Sequence, residues 1–331
     1  MFATLLKSRR FAPLFWCQFF SAFNDNFLKN GLAILILFGI GALAPDRAQT
    51  LVTLAGAVFI GPFFFLSGIG GELADRFDKA LIARRLKFAE IAAAALAATG
   101  FLFQSVPVLF AALFLFGVIS ALFGPIKYGI LPDHLKKEEL PAGNALVEGA
   151  TFVAILIGTI AGGLLAEDRA HAPYVAGGII ALAIACWLSA RMIPKTGEAA
   201  PTLVIDRNIA RSTWRILNEV RDGGRLWWGT IAVSWFWMAG AVLMMLVQFT
   251  AKDVIGGTAS VATTLTLAFT IGIALGSLAA AWLSGGRQVL FLTVLGGLLL
   301  GFFCLALAWK AGMTVQKLPA IGWREFLGDG E

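Results

Sequence analysis

The sequence predicts an all-α membrane protein that crosses the bilayer several times. Of its 331 residues 59% are hydrophobic and 14% charged, whereas soluble domains carry roughly 25% charged residues. Apolar segments of about 20 residues, long enough to span a bilayer as a helix, recur along the chain. Ten-residue stretches of alternating hydrophobicity are lacking, which argues against a barrel.

The spans are expected at 12–40, 50–73, 86–104, 107–126, 143–166, 173–193, 226–250, 260–284 and 288–309. Lys7, Arg9 and Arg10 precede the first of them as in a signal peptide, but no small-residue cleavage site follows. The segment is therefore read as a retained span. The net charge of +6 sits in short loops and sets orientation, so it does not point to nucleic acid. Arg76, Lys79, Arg84, Arg85 and Lys87 fall in the second-to-third loop, and Lys127, Lys136 and Lys137 in the fourth-to-fifth. Lys195, Arg207, Arg211, Arg215, Arg221 and Arg225 fall in the sixth-to-seventh, while the opposite loops carry only Arg47, Arg169 and Lys252. This asymmetry places the N-terminus and the basic loops in the cytoplasm.

The spans group into parts. Residues 1–193 form a six-helix bundle, and 194–225 a cytoplasmic linker with Ile209, Trp214, Ile216 and Leu217 among charges. Such an amphipathic stretch suits an anionic membrane surface. Residues 226–311 form a partial second bundle of three helices, and 312–331 a polar tail. Lys310, Lys317 and Arg324 would then lie outside, against the pattern of the other loops. The chain is accordingly expected to be incomplete, or to end in residues foreign to the rest of the fold.

Chemistry is expected first within the opening span. Gln18, Ser21, Asp25 and Lys29 share one helical face, with Asn24 beside it and Asn26 and Asn30 flanking. An aspartate or lysine at mid-membrane costs about 2.5–3.5 kcal/mol on insertion scales, so this stripe must face a bundle interior or a wet cavity. Asp25 and Lys29 are spaced to pair, either as a structural ion pair or as part of a substrate path, which intramembrane charges favour. Further along, Gly124-Pro125 is expected to break the fourth helix, leaving Lys127 at the membrane edge and Glu148 a turn or two into the fifth. Gly158 and Gly162 make a face for close helix packing. Phe63, Phe64, Phe65, Trp235, Phe236 and Trp237 offer either packing surface or an apolar track for an acyl chain.

Enzymatic and metal chemistry finds no support. Cys17, Cys186 and Cys304 lie singly in apolar spans, reading as small buried side chains rather than disulfides or ligands. A glycerolipid acyltransferase needs His-x4-Asp, but His134 leads to Glu139 and His171 to Ala176. No phosphate-binding Gly-x4-Gly-Lys loop occurs. No cofactor is expected.

Gly71-Glu72-Leu73-Ala74-Asp75-Arg76, ending the second span, resembles the signature loop of the major facilitator superfamily. In that family the loop gates the cytoplasmic side, which assigns gating to Gly71, Asp75 and Arg76. The carboxylate and guanidinium there pair with each other and with helix ends of the other half. Asp78 departs from the pattern by replacing the usual glycine. Together, "QFFSAFNDN", "GPIKYGIL" and "GNALVEGATFVAILIGTIAGG" resemble the bacterial lysophospholipid transporters of that superfamily, the likeness running from Phe11 through "SWFWMAGAVLM". The resemblance implies twelve spans and an inner-membrane flippase that moves lysophosphatidylethanolamine to the cytoplasmic leaflet for reacylation. It is to the N-terminal transporter part of proteins fused to an acyltransferase and an acyl-carrier-protein ligase, which makes those domains candidate partners beside the lysophospholipid and membrane lipids. Two alternatives stay open: a proton-coupled exporter of small amphiphiles, and a membrane anchor for such an acyltransferase.

Overall fold

The computed structural model describes residues 2–39, 45–166, 168–206, 208–250, 259–285, 287 and 289–313. Most of the polar tail expected at 312–331 thus lies outside the described residues. The chain folds as two compact units, Met1–Ile216 and Leu217–Glu331.

The first unit holds α1 (Phe2–Lys7), α2 (Ala12–Ile34), α3 (Pro45–Arg76), α4 (Lys79–Leu102), α5 (Val106–His134), α6 (Leu140–Ala166) and α7 (Ala172–Met192). A connector follows, ending in α8 (Ile209–Asp222); the second unit carries α9 (Arg225–Phe249), α10 (Ala259–Ser284) and α11 (Leu290–Met313). Each expected span falls on one of α2–α7 or α9–α11, and among the described residues six of these helices are long and apolar enough to cross a membrane. In α2 the run Asn24, Asp25, Asn26, Lys29 and Asn30 lowers the hydropathy, as Lys79, Arg84, Arg85, Lys87 and Glu90 do in α4.

Two boundaries differ from expectation, and both matter for function. α4 starts at Lys79 rather than near 86 because Asp78 caps it, accepting a bond from the Leu81 N–H at 2.8 Å. Lys87 is therefore two turns inside a helix and not in a loop. α5 runs unbroken through Pro125 and Pro132 to His134, so Gly124-Pro125 does not end it. Proline is tolerated in membrane helices because neighbouring groups re-satisfy the freed backbone.

The side chains Phe27, Leu28 and Leu32 of α2 belong to one buried cluster with Ala93, Ala97 and Phe101 of α4 and Val175 and Ile179 of α7. Gly158 and Gly162 let α6 meet the α2 backbone directly. A Cβ at Gly158 would run into the Phe23 carbonyl oxygen, and one at Gly162 into that of Phe27. Gly162→Ala is thus expected to push the helices apart and destabilise the protein by about 1–3 kcal/mol. A lowered unfolding temperature in detergent checks this, and an unchanged one contradicts the close approach.

The basic segments gather at one end of the unit. Arg10 pairs with Glu139 at 2.5 Å and donates to the His134 carbonyl, and Lys79 meets Asp133 at 2.9 Å. Arg84 donates to the Ile193 carbonyl at 2.5 Å. The N-terminus, the α3–α4 turn, the α5–α6 loop and the connector therefore share one face of the bundle, as the charge pattern requires of them.

Candidate functional site

The polar residues of α2 fan out to every neighbouring helix. Gln18 donates to Thr151 of α6 at 2.9 Å, Asn24 to the Ile179 carbonyl of α7 at 3.1 Å, and Asn30 to the Thr159 carbonyl of α6 at 2.7 Å. Asn26 turns back to the Ala22 carbonyl. Asp25 accepts a bond from Ser120 of α5 at 2.8 Å. The expected Asp25–Lys29 ion pair does not form: Lys29 lies over the Phe59 ring of α3, its Nζ 5.7 Å from the centroid. Spacing along one helix permitted the pair, but Asp25 bonds Ser120 of α5 and Lys29 turns to Phe59 of α3, so the two charges act on each other without closing an ion pair.

Ser21 leads to a centre that the polar stripe of α2 alone does not reveal. It accepts a bond from Lys87 Nζ at 2.6 Å, and the same ammonium pairs with Glu90 at 2.6 Å and sits 4.3 Å from the centroid of the Phe123 ring. Both Lys87 and Glu90 side chains are 0% exposed. Removing such charges from water costs several kcal/mol each, returned only by good pairing. The sequence carries the signal as Lys87-x-x-Glu90 just before an alanine-rich apolar run, where Lys87 also continues the basic series of Arg76, Lys79, Arg84 and Arg85.

Lys127 is half-buried on α5 with its Nζ 4.7 Å from the Tyr128 ring centroid, and the Tyr128 hydroxyl donates to Glu148 of α6. The bundle thus brings Lys127 and Glu148 to neighbouring positions, joined by a tyrosine that the sequence did not single out. Trp235 and Trp237 belong to the second unit, on α9, where they are 57% and 48% exposed. Phe64 and Phe65 of α3 are likewise exposed. Cys17 and Cys186, read from the sequence as lacking partners, face each other across α2 and α7 with sulfurs 3.8 Å apart, both as free thiols.

At the loop after α3 the pairing differs from what the resemblance implied. Among the described residues Asp75 and Arg76 form no ion pair. The Asp75 carbonyl accepts a bond from the Ala200 N–H at 2.8 Å, and Arg76 stacks over Phe77 at 5.2 Å. Gly71 lies near the end of α3, open to added bulk. The acid that does engage is Glu72, 4% exposed, which accepts from Ser212 at 2.7 Å and pairs with Arg215, both on α8. Asp78 fills the glycine's place by binding the connector: its Oδ2 accepts from the backbone N–H of Thr196 at 3.0 Å and of Gly197 at 2.9 Å.

Burial of Asp78 works against its charge. The N–H donors of Gly197, Leu81 and Thr196, with Arg84 nearby, outweigh that and hold its carboxyl below the usual range. A carboxyl depressed in the folded state adds stability that is present above its unfolded value of about 3.9 and fades as pH falls towards the folded one. Cleavage by trypsin-like proteases at Lys195 is unsuited to so low a pH, so an acid protease is the probe. The connector around residues 194–200 should become more readily cut as pH drops below about 4, and Asp78→Ala should be cut readily throughout. Identical cleavage of both proteins at every pH would contradict the staple.

Comparison with known proteins accords with this architecture. Residues 14–320 match the family described as Major Facilitator Superfamily. The chain is 33% identical over 286 residues to lysophospholipid transporter LplT of Pectobacterium carotovorum, covering 84% of this chain and 66% of that protein. It is 32% identical over 282 residues to the LplT of Yersinia enterocolitica, covering 83% and 65%, and 31% identical over 284 residues to that of Citrobacter koseri, covering 84% and 67%. The chain therefore spans about two thirds of the length of these relatives. With its all-helical, multi-span build, the chain belongs to the major facilitator superfamily and, within it, to the lysophospholipid transporter family.

Proposed function

We propose that this protein moves lysophospholipids such as lysophosphatidylethanolamine across the bacterial inner membrane to the cytoplasmic leaflet, with its N-terminus and basic loops in the cytoplasm. The observation that carries the reading is the similarity to lysophospholipid transporters over 84% of the chain. The chemistry of the first unit supports it. A lysophosphatidylethanolamine headgroup carries an ammonium and a phosphate, and the unit holds charges of both signs near the membrane interior. Asp25 suits the ammonium, while Lys29 and Lys127 suit the phosphate. Gln18, Ser21, Asn24, Asn26 and Glu148 complete the polar path. The exposed aromatic faces of Trp235 and Trp237 suit a single acyl chain.

Gating is assigned to Gly71, Asp75 and Arg76, with Glu72 fastening α8 to the same loop. The transported lipid is then a substrate for acyltransferase and acyl-carrier-protein ligase partners that restore the second chain. Spheroplasts expressing the protein test the reading. Labelled lysophosphatidylethanolamine should enter in proportion to expression, and the two-chain phosphatidylethanolamine should not. Uptake no greater than in cells lacking the protein would reject it.

A further inference from the structure

Helices α2 and α4 both begin at the end where the basic segments gather, so they run parallel. The Lys87–Ser21 bond sets those two residues at one height. One step of three residues further along each helix, about 4.5 Å at 1.5 Å per residue, stand Glu90 on α4 and Asn24 with Asp25 on α2. Helix α5 runs the opposite way and keeps the same register. Phe123 lies beside Lys87, and Ser120, one turn earlier in the chain, bonds Asp25. Asn24, Asp25, Glu90 and Ser120 therefore occupy one layer of the bundle, and Asp25 and Glu90 are close enough for their charges to interact.

In that layer Asn24 Oδ1, Asp25 Oδ1 and Glu90 Oε1 are buried without a protein hydrogen-bond partner. The Asn24 amide cannot turn over to relieve its oxygen. Its nitrogen donates to the Ile179 carbonyl, and exchange would set two oxygens against each other. Asp25 and Glu90 face the ammonium of Lys87, and Lys29, one turn along α2, also acts on Asp25, so the charges come close to balance while the three oxygens stay bare. A proton shared between the two carboxyls would satisfy Asp25 Oδ1 and Glu90 Oε1 but leave Asn24 Oδ1 bare. A divalent ion beside Lys87 and near Lys29 would leave a larger excess of positive charge than a monovalent one. Oxygen donors of this kind favour hard cations.

We propose that this layer binds one monovalent metal cation, held by Asn24 Oδ1, Asp25 Oδ1 and Glu90 Oε1. Glu90 meets the ion with one oxygen and Lys87 with the other, so the ammonium fixes the carboxylate's orientation. The site stands on the first unit alone. Coupling of the ion to lipid movement would rest on the transport reading above, but binding does not.

The purified full chain in detergent, free of lysophospholipid and at about pH 8 where carboxylates are ordinarily ionised, provides the test. Radioactive sodium should bind saturably, and the unfolding midpoint should rise with the logarithm of NaCl concentration when choline chloride holds ionic strength constant. Asn24→Ala, which keeps every charge, should weaken sodium binding by about tenfold or more, and Asp25→Asn should remove it. If Asp25→Asn does not fold, Asn24→Ala decides alone. Wild-type protein that shows no sodium binding and no difference between sodium and choline overturns the proposal, as does binding that Asn24→Ala leaves unchanged.

Discussion

Asp25→Asn is expected to cut uptake of lysophosphatidylethanolamine by at least about thirtyfold, with the protein still inserted at wild-type levels. Truncating one partner of a buried, hydrogen-bonded charge pair costs about 2–5 kcal/mol, and the lower figure already corresponds to roughly that factor. The change keeps shape and the bond from Ser120, and a neutral side chain is easier to bury. Because Lys29 lies over Phe59 instead of pairing with Asp25, adding Lys29→Gln should not restore uptake. Recovery in the double variant would remove Asp25 from the substrate path. Headgroup chemistry separates two roles for the carboxylate. Loss confined to amine-bearing lysophospholipids indicates contact with the ammonium, whereas loss for lysophosphatidylglycerol as well indicates the ion layer.

The second large effect concerns Lys87 and Glu90, whose side chains are wholly enclosed. Breaking a buried pair by removing one partner typically costs about 3–5 kcal/mol because the other charge is left uncompensated. The two single changes should nevertheless differ. Glu90→Gln leaves Lys87 with Ser21, the Phe123 face and the charge of Asp25 nearby. Lys87→Met leaves the enclosed Glu90 with no ammonium partner and with the charge of Asp25 nearby, so it should be the more damaging. The double variant Lys87→Met/Glu90→Gln should recover much of the stability lost by Lys87→Met. Unfolding midpoints in detergent measure all three. Equal midpoints for wild type and Lys87→Met would show that the pair is not enclosed as described.

Which of these features the sequence reveals depends on how far apart the interacting residues lie. Helices announce themselves locally, because a bilayer demands a continuous apolar run, and so the spans and the Gly158/Gly162 face could be read directly. The common end of the basic segments was legible for a similar reason, since loop charge is a local property. The Lys87–Glu90 centre was half legible: both residues stand three apart in plain view. The start of α4, however, depends on Asp78 acting as a cap, and counting charges by loop concealed it. The Cys17–Cys186 approach and the Glu72–Arg215 pair bridge residues far apart in the chain. Nothing in their own neighbourhoods marks them. Gly124-Pro125 misled for the opposite reason: a local rule for soluble helices was overridden by packing among membrane helices.

Reconstituted vesicles show whether the protein carries a lysophospholipid from one leaflet to the other. A fluorescent lysophosphatidylethanolamine is added to the outer leaflet, and its protection from a membrane-impermeant quencher is followed with time. Vesicles holding the full chain should protect the lipid faster than protein-free vesicles, and those holding Asp25→Asn should match the protein-free control. Equal protection in all three preparations, with the protein shown to be inserted and folded, would mean that the protein does not move the lipid between leaflets.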